Sequence, residues 1–83
     1  MGSKNTPGEY DCYANALPDE PMFILLARDQ RAPETVRHWA DKRAMDVRAG
    51  RKPASDMRMV REARECAAAM RVWRKRNEGA WRK

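Results

Sequence analysis

The fold is decided by residues 55–77, SDMRMVREARECAAAMRVWRKRN. Apolar side chains recur there in steps of three and four and fill one arc of a helical wheel: Met59, Val60, Ala63, Cys66, Ala67, Met70 and Trp73. The opposite arc holds Arg58, Arg61, Arg64, Arg71 and Lys75. Such a separation is typical of an amphipathic helix with one face on a core. We therefore predict a helix at about 55–76, with Ser55 as its N-cap and Asn77 at its end.

A second amphipathic helix is predicted upstream, at about 33–49. Pro33 and Glu34 suit its first turn, and Gly50 followed by Pro53 suits its end. At 100° per residue, one face carries the apolar stripe Val36, Trp39, Ala40, Ala44 and Val47. This stripe predicts a helix that faces the core.

The apolar run Met22–Leu26 follows Asp19, Glu20 and Pro21. Acids followed by proline are typical of a helix N-terminus, because carboxylates accept unpaired backbone N–H groups and proline loses nothing in the first turn. We therefore predict a helix at about 20–28. Since it would be apolar on nearly every side, it must be buried between other helices or against a second subunit. A buried strand is the competing interpretation, because a run this short has no decisive periodicity.

Together these elements predict an all-α protein, a small bundle of three main helices with a short N-terminal helical turn. The turn is indicated by the helical spacing of Tyr10, Tyr13, Ala14 and Leu17. We expect a flexible leader at 1–8, a single helical domain at 9–78 and a basic tail at 79–83. Because a chain of 83 residues buries little surface, and its cysteines and histidine are too few for other aids, we expect oligomerisation to complete the bundle.

The residue inventory argues against catalysis and cofactors. A zinc site needs about four Cys or His ligands at short spacing, whereas this chain has Cys12, Cys66 and His38, far apart. No phosphate-binding glycine loop and no nucleophile-elbow motif occurs. We therefore predict a protein that is not an enzyme and holds neither metal nor cofactor. Thiols outside any C-x-x-C pattern, together with apolar runs too short for a bilayer, predict a cytoplasmic protein without membrane contact.

The net charge of +6 is concentrated near the C-terminus. Residues 1–20 carry one lysine and four acids, net −3, whereas residues 51–83 carry eleven basic and four acidic side chains, net +7. Arg58 and Arg61 each precede a glutamate by four residues. The other basic side chains of this region that we consider are Arg64, Arg71, Arg74, Lys75 and Arg76. With Trp73 and Trp81 nearby, this group is a candidate nucleic-acid interface. A solvated helix face that only aids solubility is the alternative.

A second candidate site lies at the joint between the first two predicted helices. Arg43 falls within the apolar stripe of the second helix. Either its long stem carries the guanidinium out to solvent, or it pairs with a carboxylate or an anionic ligand. The planar guanidinium suits bidentate binding of phosphate or carboxylate. The candidate ligand-binding set is Arg28, Asp29, Arg31, Arg37 and Arg43.

About a quarter of the chain carries the pattern D-E-P-x-F-x-L-x-A-x-D-x-x-A-P-x-x-V-R-x-W-A, from Asp19 to Ala40. This stretch resembles small uncharacterised helical proteins of tailed phages and prophages. The resemblance implies an accessory phage protein in the cytoplasm of an infected or lysogenic bacterium, a group that includes counter-defence factors. It implies no catalytic residues.

Three functional hypotheses follow. The first is a counter-defence binding protein that sequesters an anionic nucleotide signal in an interfacial pocket of an oligomer. The second is binding of nucleic acid or nucleoprotein through the basic C-terminal helix. The third is an inhibitory protein-partner module that uses the apolar first helix.

Overall fold

The computed structural model describes residues 1–78 of the chain. It contains α1 (Cys12–Asn15), α2 (Ala32–Arg48) and α3 (Asp56–Arg76), and no strand within that range. The prediction of a small all-α protein is therefore confirmed. The predicted tail at 79–83, which includes Trp81, lies outside the described residues.

Helices α2 and α3 form an antiparallel hairpin that contains most of the packing. The side chain of Arg43, late in α2, reaches the first residue of α3, Asp56. Where the hairpin helices meet, the buried cluster is Ala40, Ala44, Val60 and Ala63. Because alanine has a small side chain, it lets the two helix backbones approach closely. The core of this protein is therefore narrow and made mainly of alanine.

The end of α2 is set by Gly50, as the sequence predicted. Its φ is +79°, a left-handed conformation that glycine adopts without steric cost. The Gly50 N–H donates to the carbonyl of Val47, and the Arg51 N–H donates to that of Asp46. This pair of bonds is the Schellman arrangement, which satisfies carbonyls left open at a helix end.

The starts of the two long helices differ from each other. Before α2, the side chain of Asp29 accepts the N–H of Arg31 at 2.9 Å, and its carbonyl accepts the N–H of Ala32 at 3.0 Å. This turn fixes the entry into the helix. Ser55 does precede α3 as predicted, but its side chain makes no capping hydrogen bond, because its backbone is already helical.

The predicted helix at 20–28 is absent, and this part of the prediction is wrong. Residues 20–26 adopt no helix, turn or bend, and a turn follows at 27–28. The acidic start forms a different structure, in which the N–H of Glu20 donates to the carbonyl of Leu17. A helix of nine residues is too short to be stable alone. The narrow α2–α3 hairpin does not surround it with the apolar contacts it would require.

The N-terminal residues lie on α3. The predicted short helical turn is confirmed as α1. Glu62 of α3 accepts the backbone N–H groups of Glu9 and Tyr10, both at 3.0 Å, and also contacts the terminal amine of Met1. The Met1 side chain packs against the buried cluster. The division into a leader at 1–8 and a domain at 9–78 stays a prediction.

Candidate functional site

Three arginines converge on one side of the hairpin. Arg37 of α2 and Arg64 and Arg71 of α3 line a concavity of about 140 Å³ whose floor is Ala67 and Ala68. The three cationic side chains are exposed, whereas Ala67 is buried. The result is a shallow depression with an apolar floor and a cationic rim.

An adjoining concavity of about 200 Å³ extends this depression toward the start of α2. Its lining consists of Gln30, Pro33, Glu34, Arg71 and Arg74. Arg71 lines both concavities, so the two adjoin at its side chain. We call the two together the arginine groove, with Arg37, Arg64 and Arg71 as its cationic centre.

Helical spacing explains why these side chains meet. Arg64 and Arg71 are seven residues apart on α3, which places them on the same face at a separation of about 10.5 Å along the axis. The alanines between them leave that face open. Since α2 runs antiparallel to α3, its first half, with Arg37, lies beside the second half of α3.

The three arginines differ in their partners. Arg64 donates to a carboxylate oxygen of Asp41 at 3.0 Å, and both side chains are about half exposed. Within residues 1–78, Arg37 and Arg71 form no ion pair. Two of the three cations at the centre of the groove are therefore available to an external anion.

Arg74, at the end of the groove, has a structural contact. Its Nη1 donates to the backbone carbonyls of Ala27 at 3.2 Å and Arg28 at 2.8 Å. These bonds tie the segment before α2 to the last turns of α3. Substitution of Arg74 is therefore expected to disturb the fold as well as the charge of the groove.

The predicted ligand-binding set does not assemble in one place. Of the alternatives predicted for Arg43, the structure shows pairing with a carboxylate, because its guanidinium lies 2.9 Å from a carboxylate oxygen of Asp56. The guanidinium also lies 5.1 Å from the ring centroid of Trp39. The contact with Asp56 is at the first residue of α3, about 22 Å along the helix from Arg71. The side chain of Asp29 accepts the backbone N–H of Arg31 at the start of α2. Arg28 and Arg31 are exposed beside it.

The second predicted set is partly brought together. Arg64, Arg71 and Arg74 line the groove, whereas Lys75 and Arg76 are exposed in the last turn of α3 and are not part of its lining. Trp73 is two residues from Arg71 and so points to another side of the helix, with 40% of its surface exposed. Among residues 1–78, those that line the groove include no aromatic side chain.

The described residues show no other assembled site. In residues 1–78, no three of the Cys, His, Asp and Glu side chains are placed to hold a metal ion. Cys12 is exposed, Cys66 is half-buried, and neither forms a disulfide. No helix in this part of the chain is both long and apolar enough to cross a bilayer.

Sequence patterns missed the combination of Arg37 with Arg64 and Arg71, and also the contributions of Gln30 and Glu34. The combination becomes visible when the helical wheels of α2 and α3 are drawn next to each other in antiparallel orientation. Gln30 and Glu34 carry no such signal, because they are ordinary polar residues at a helix start. Comparison with known protein families, curated proteins and solved structures yields no match to this chain.

Proposed function

We propose that the protein binds the phosphate backbone of double-stranded nucleic acid through the arginine groove. The observation that carries this proposal is the convergence of Arg37, Arg64 and Arg71 on one open depression, where Arg37 and Arg71 form no ion pair with any other residue of the range 1–78. Arginine is the side chain best suited to phosphate, because its planar guanidinium donates two parallel hydrogen bonds. The protein acts by binding, and we propose no reaction.

The open shape of the groove favours a polymer over a free nucleotide. Sites for small molecules usually enclose most of the ligand surface, whereas the two parts of the groove, of about 200 and 140 Å³, are shallow and open to solvent. A polymer needs no enclosure, because many phosphates share the binding energy. Sequestration of a nucleotide would require a second subunit to close the groove.

The chemistry of the lining favours a duplex over a single strand. Proteins that bind single strands usually stack bases on aromatic side chains, and none of the described residues that line the groove is aromatic. The separation of Arg64 and Arg71, about 10.5 Å, is close to three base steps of about 3.4 Å. Contacts of this kind position a protein on the backbone without reading bases, so we expect little sequence preference.

The distribution of charge supports the same proposal. The net charge of residues 51–83 is +7, and this region contains α3. Such a field attracts a polyanion at long range. In the setting that the phage resemblance implies, the target would be nucleic acid in the cytoplasm of an infected bacterium. Self-association would place two grooves on one particle.

Fluorescence anisotropy with a labelled 20-base-pair duplex tests the proposal. We expect the affinity to fall steeply between 50 and 200 mM salt. Replacing Arg37, Arg64 and Arg71 together with alanine should weaken binding at least about tenfold and reduce the slope of log K against log salt by about 2.7, or 0.9 for each lost phosphate contact.

The matched control removes three charges at the other end of α2. Arg48, Arg51 and Lys52 are exposed, and Arg48 is about 16 Å along the helix from Arg37. If this triple alanine variant loses as much affinity as the groove variant, binding follows net charge alone and the groove is not the site. If the unmodified protein does not bind duplex at 50 mM salt, while a free nucleotide raises its melting temperature, the nucleotide hypothesis replaces this one.

A further inference from the structure

The apolar segment Met22–Leu26 belongs neither to the core nor to the lining of the arginine groove. It adopts no helix, turn or bend. Phe23 is 83% exposed, and Ile24 and Leu26 are each exposed by about half, at 52% and 53%. A continuous apolar patch of this kind on a small protein marks an interaction site more often than it marks nothing.

The apolar segment is attached to one end of the arginine groove. Arg74 lines that end, and its Nη1 donates to the carbonyls of Ala27 at 3.2 Å and Arg28 at 2.8 Å. Leu26 comes directly before Ala27, and Phe23 lies four positions before it. Since an extended chain spans at most about 3.6 Å per residue, Phe23 is within about 14 Å of Ala27. The segment is therefore close to any molecule that occupies the groove.

We propose that the apolar segment inserts Phe23 as a wedge between two neighbouring base pairs of the duplex that the groove binds, and kinks the duplex there. This inference rests on the proposed function, because the groove supplies the duplex. Proteins that hold a duplex mainly by its phosphates often insert phenylalanine, leucine, isoleucine or methionine from the minor groove, which partly unstacks one base step and bends the duplex by about 20–90°. Such a wedge responds to the flexibility of a step and needs no contact with base edges.

The charges next to the apolar segment favour a nucleic acid at its C-terminal end. Arg28 and Arg31 follow the segment on the side of the groove, and both are exposed. Asp29, between them, has its carboxylate on the backbone N–H of Arg31. Asp19 and Glu20 precede the segment and are farther from the groove along the chain. The cations therefore lie where the phosphates of a bound duplex pass, and the acids lie at the distant end.

The side chains of the apolar segment fit a base step better than they fit other apolar partners. A base step accepts one flat ring, and Phe23 is both the aromatic residue of the segment and its most exposed side chain. Entry into a bilayer would carry non-helical backbone into hydrocarbon, where N–H and C=O groups without partners are costly. A symmetric contact between two copies would bring two arginine-rich groove ends together, and like charges oppose such association.

Resonance energy transfer between dyes at the two ends of a 20-base-pair duplex measures the kink. We expect the native protein to raise the transfer on binding, because the kink brings the ends closer. Phe23→Ala should bind without raising it, and its affinity should change by no more than about threefold, because the phosphate contacts remain. The matched control is Tyr13→Ala, which removes a ring that is 76% exposed on α1. This control should bend the duplex as the native protein does.

A duplex with one unpaired base at its centre tests the wedge through affinity. Such a bulge makes the duplex easier to kink and lowers the cost of unstacking. The native protein should therefore prefer the bulged duplex over the regular one by about fivefold or more, whereas Phe23→Ala should bind the two equally. Replacing Arg37, Arg64 and Arg71 together with alanine should weaken binding to both duplexes by a similar factor. Circular dichroism checks that each variant is folded.

The possible results separate the wedge from the proposed function. If the native protein binds both duplexes equally and without a rise in transfer, the wedge is wrong and binding by the groove stands. If it binds neither duplex at 50 mM salt, both proposals are wrong. Equal loss of bending in Phe23→Ala and Tyr13→Ala also contradicts the wedge. Dimerisation in sedimentation, or binding to lipid vesicles, that is lost in Phe23→Ala while bending is unchanged assigns the segment to another partner and overturns the inference.

Discussion

Replacing Asp41 with asparagine should tighten binding to duplex nucleic acid. Asp41 holds Arg64 at the rim of the arginine groove through a contact of 3.0 Å. A phosphate that uses Arg64 has to displace this carboxylate and also approaches its negative charge. Asparagine keeps the size of the side chain and removes the charge.

The expected magnitude follows from the exposure of the pair. Arg64 is 45% and Asp41 is 54% exposed, so the ion pair is screened by water. Such pairs are worth about 0.2–1 kcal/mol. Loss of the pair and of the repulsion toward phosphate together should improve binding by about 1 kcal/mol, or roughly fivefold at low salt. The melting temperature should change little.

Anisotropy titrations at several salt concentrations measure this effect. The matched control is Asp46→Asn, which removes the same charge from a carboxylate that pairs with Arg51 at 3.0 Å, away from the groove. The gain for Asp41→Asn should shrink as salt rises, because screening weakens the removed repulsion. If both variants gain equally, only the net charge matters. If Asp41→Asn weakens binding, the placement of phosphate at Arg64 is wrong.

The remaining predictions concern stability and thiol chemistry. Gly50→Ala should destabilise the protein by about 1 kcal/mol, or roughly 4–8 °C in melting temperature, because φ is +79° while no atom lies within 4 Å of the added Cβ. Glu62→Gln should lower the free energy of unfolding by about 1.5 kcal/mol in a denaturant titration, since the carboxylate accepts two backbone N–H groups and contacts the terminal amine. An equal loss for the exposed Glu65→Gln would show that only the charge matters. Burial raises the pKa of the Cys66 thiol, so alkylation followed by mass spectrometry should modify exposed Cys12 first at pH 7. The rate at Cys66 should rise with pH as its thiolate forms, and equal rates at pH 7 would contradict the burial.

The two long helices could be predicted because their signals are local. The apolar arc of α3 and the proline at the start of α2 act within a few residues, and tertiary contacts agree with them. Gly50 is the clearest example, since one left-handed residue ends a helix wherever it occurs. Ser55 shows the limit of such signals. Its position was predicted, but its capping bond does not form, because a helical backbone turns the side chain away from the amides.

The segment at 20–28 could not be predicted because its structure depends on what surrounds it. An all-round apolar run is compatible with a buried helix and with an extended strand. The choice depends on how much apolar surface the rest of the chain supplies. Here α2 and α3 face each other through alanines, and they leave no cavity that encloses a third helix. The segment lies outside the core and most of its side chains are exposed.

The residues of the candidate site were predicted in two separate sets, and the structure groups them differently. Arg64 and Arg71 share a helix face, so their proximity is visible in the sequence. Arg37 was assigned with Arg43 to the predicted ligand-binding set. Only the antiparallel packing shows that Arg37 lies beside Arg71, while Arg43 contacts Asp56 at the other end of the hairpin.

The alanines between α2 and α3 affect both the arginine groove and the apolar segment Met22–Leu26. On α3, buried Ala63 and Ala67 let α2 approach, and Ala67 with Ala68 also forms the floor between Arg64 and Arg71. Larger side chains at these positions would fill the groove and push the helices apart. They would also give a thicker core that competes for the apolar segment. The small residues that form the floor of the groove therefore also leave most side chains of Met22–Leu26 exposed.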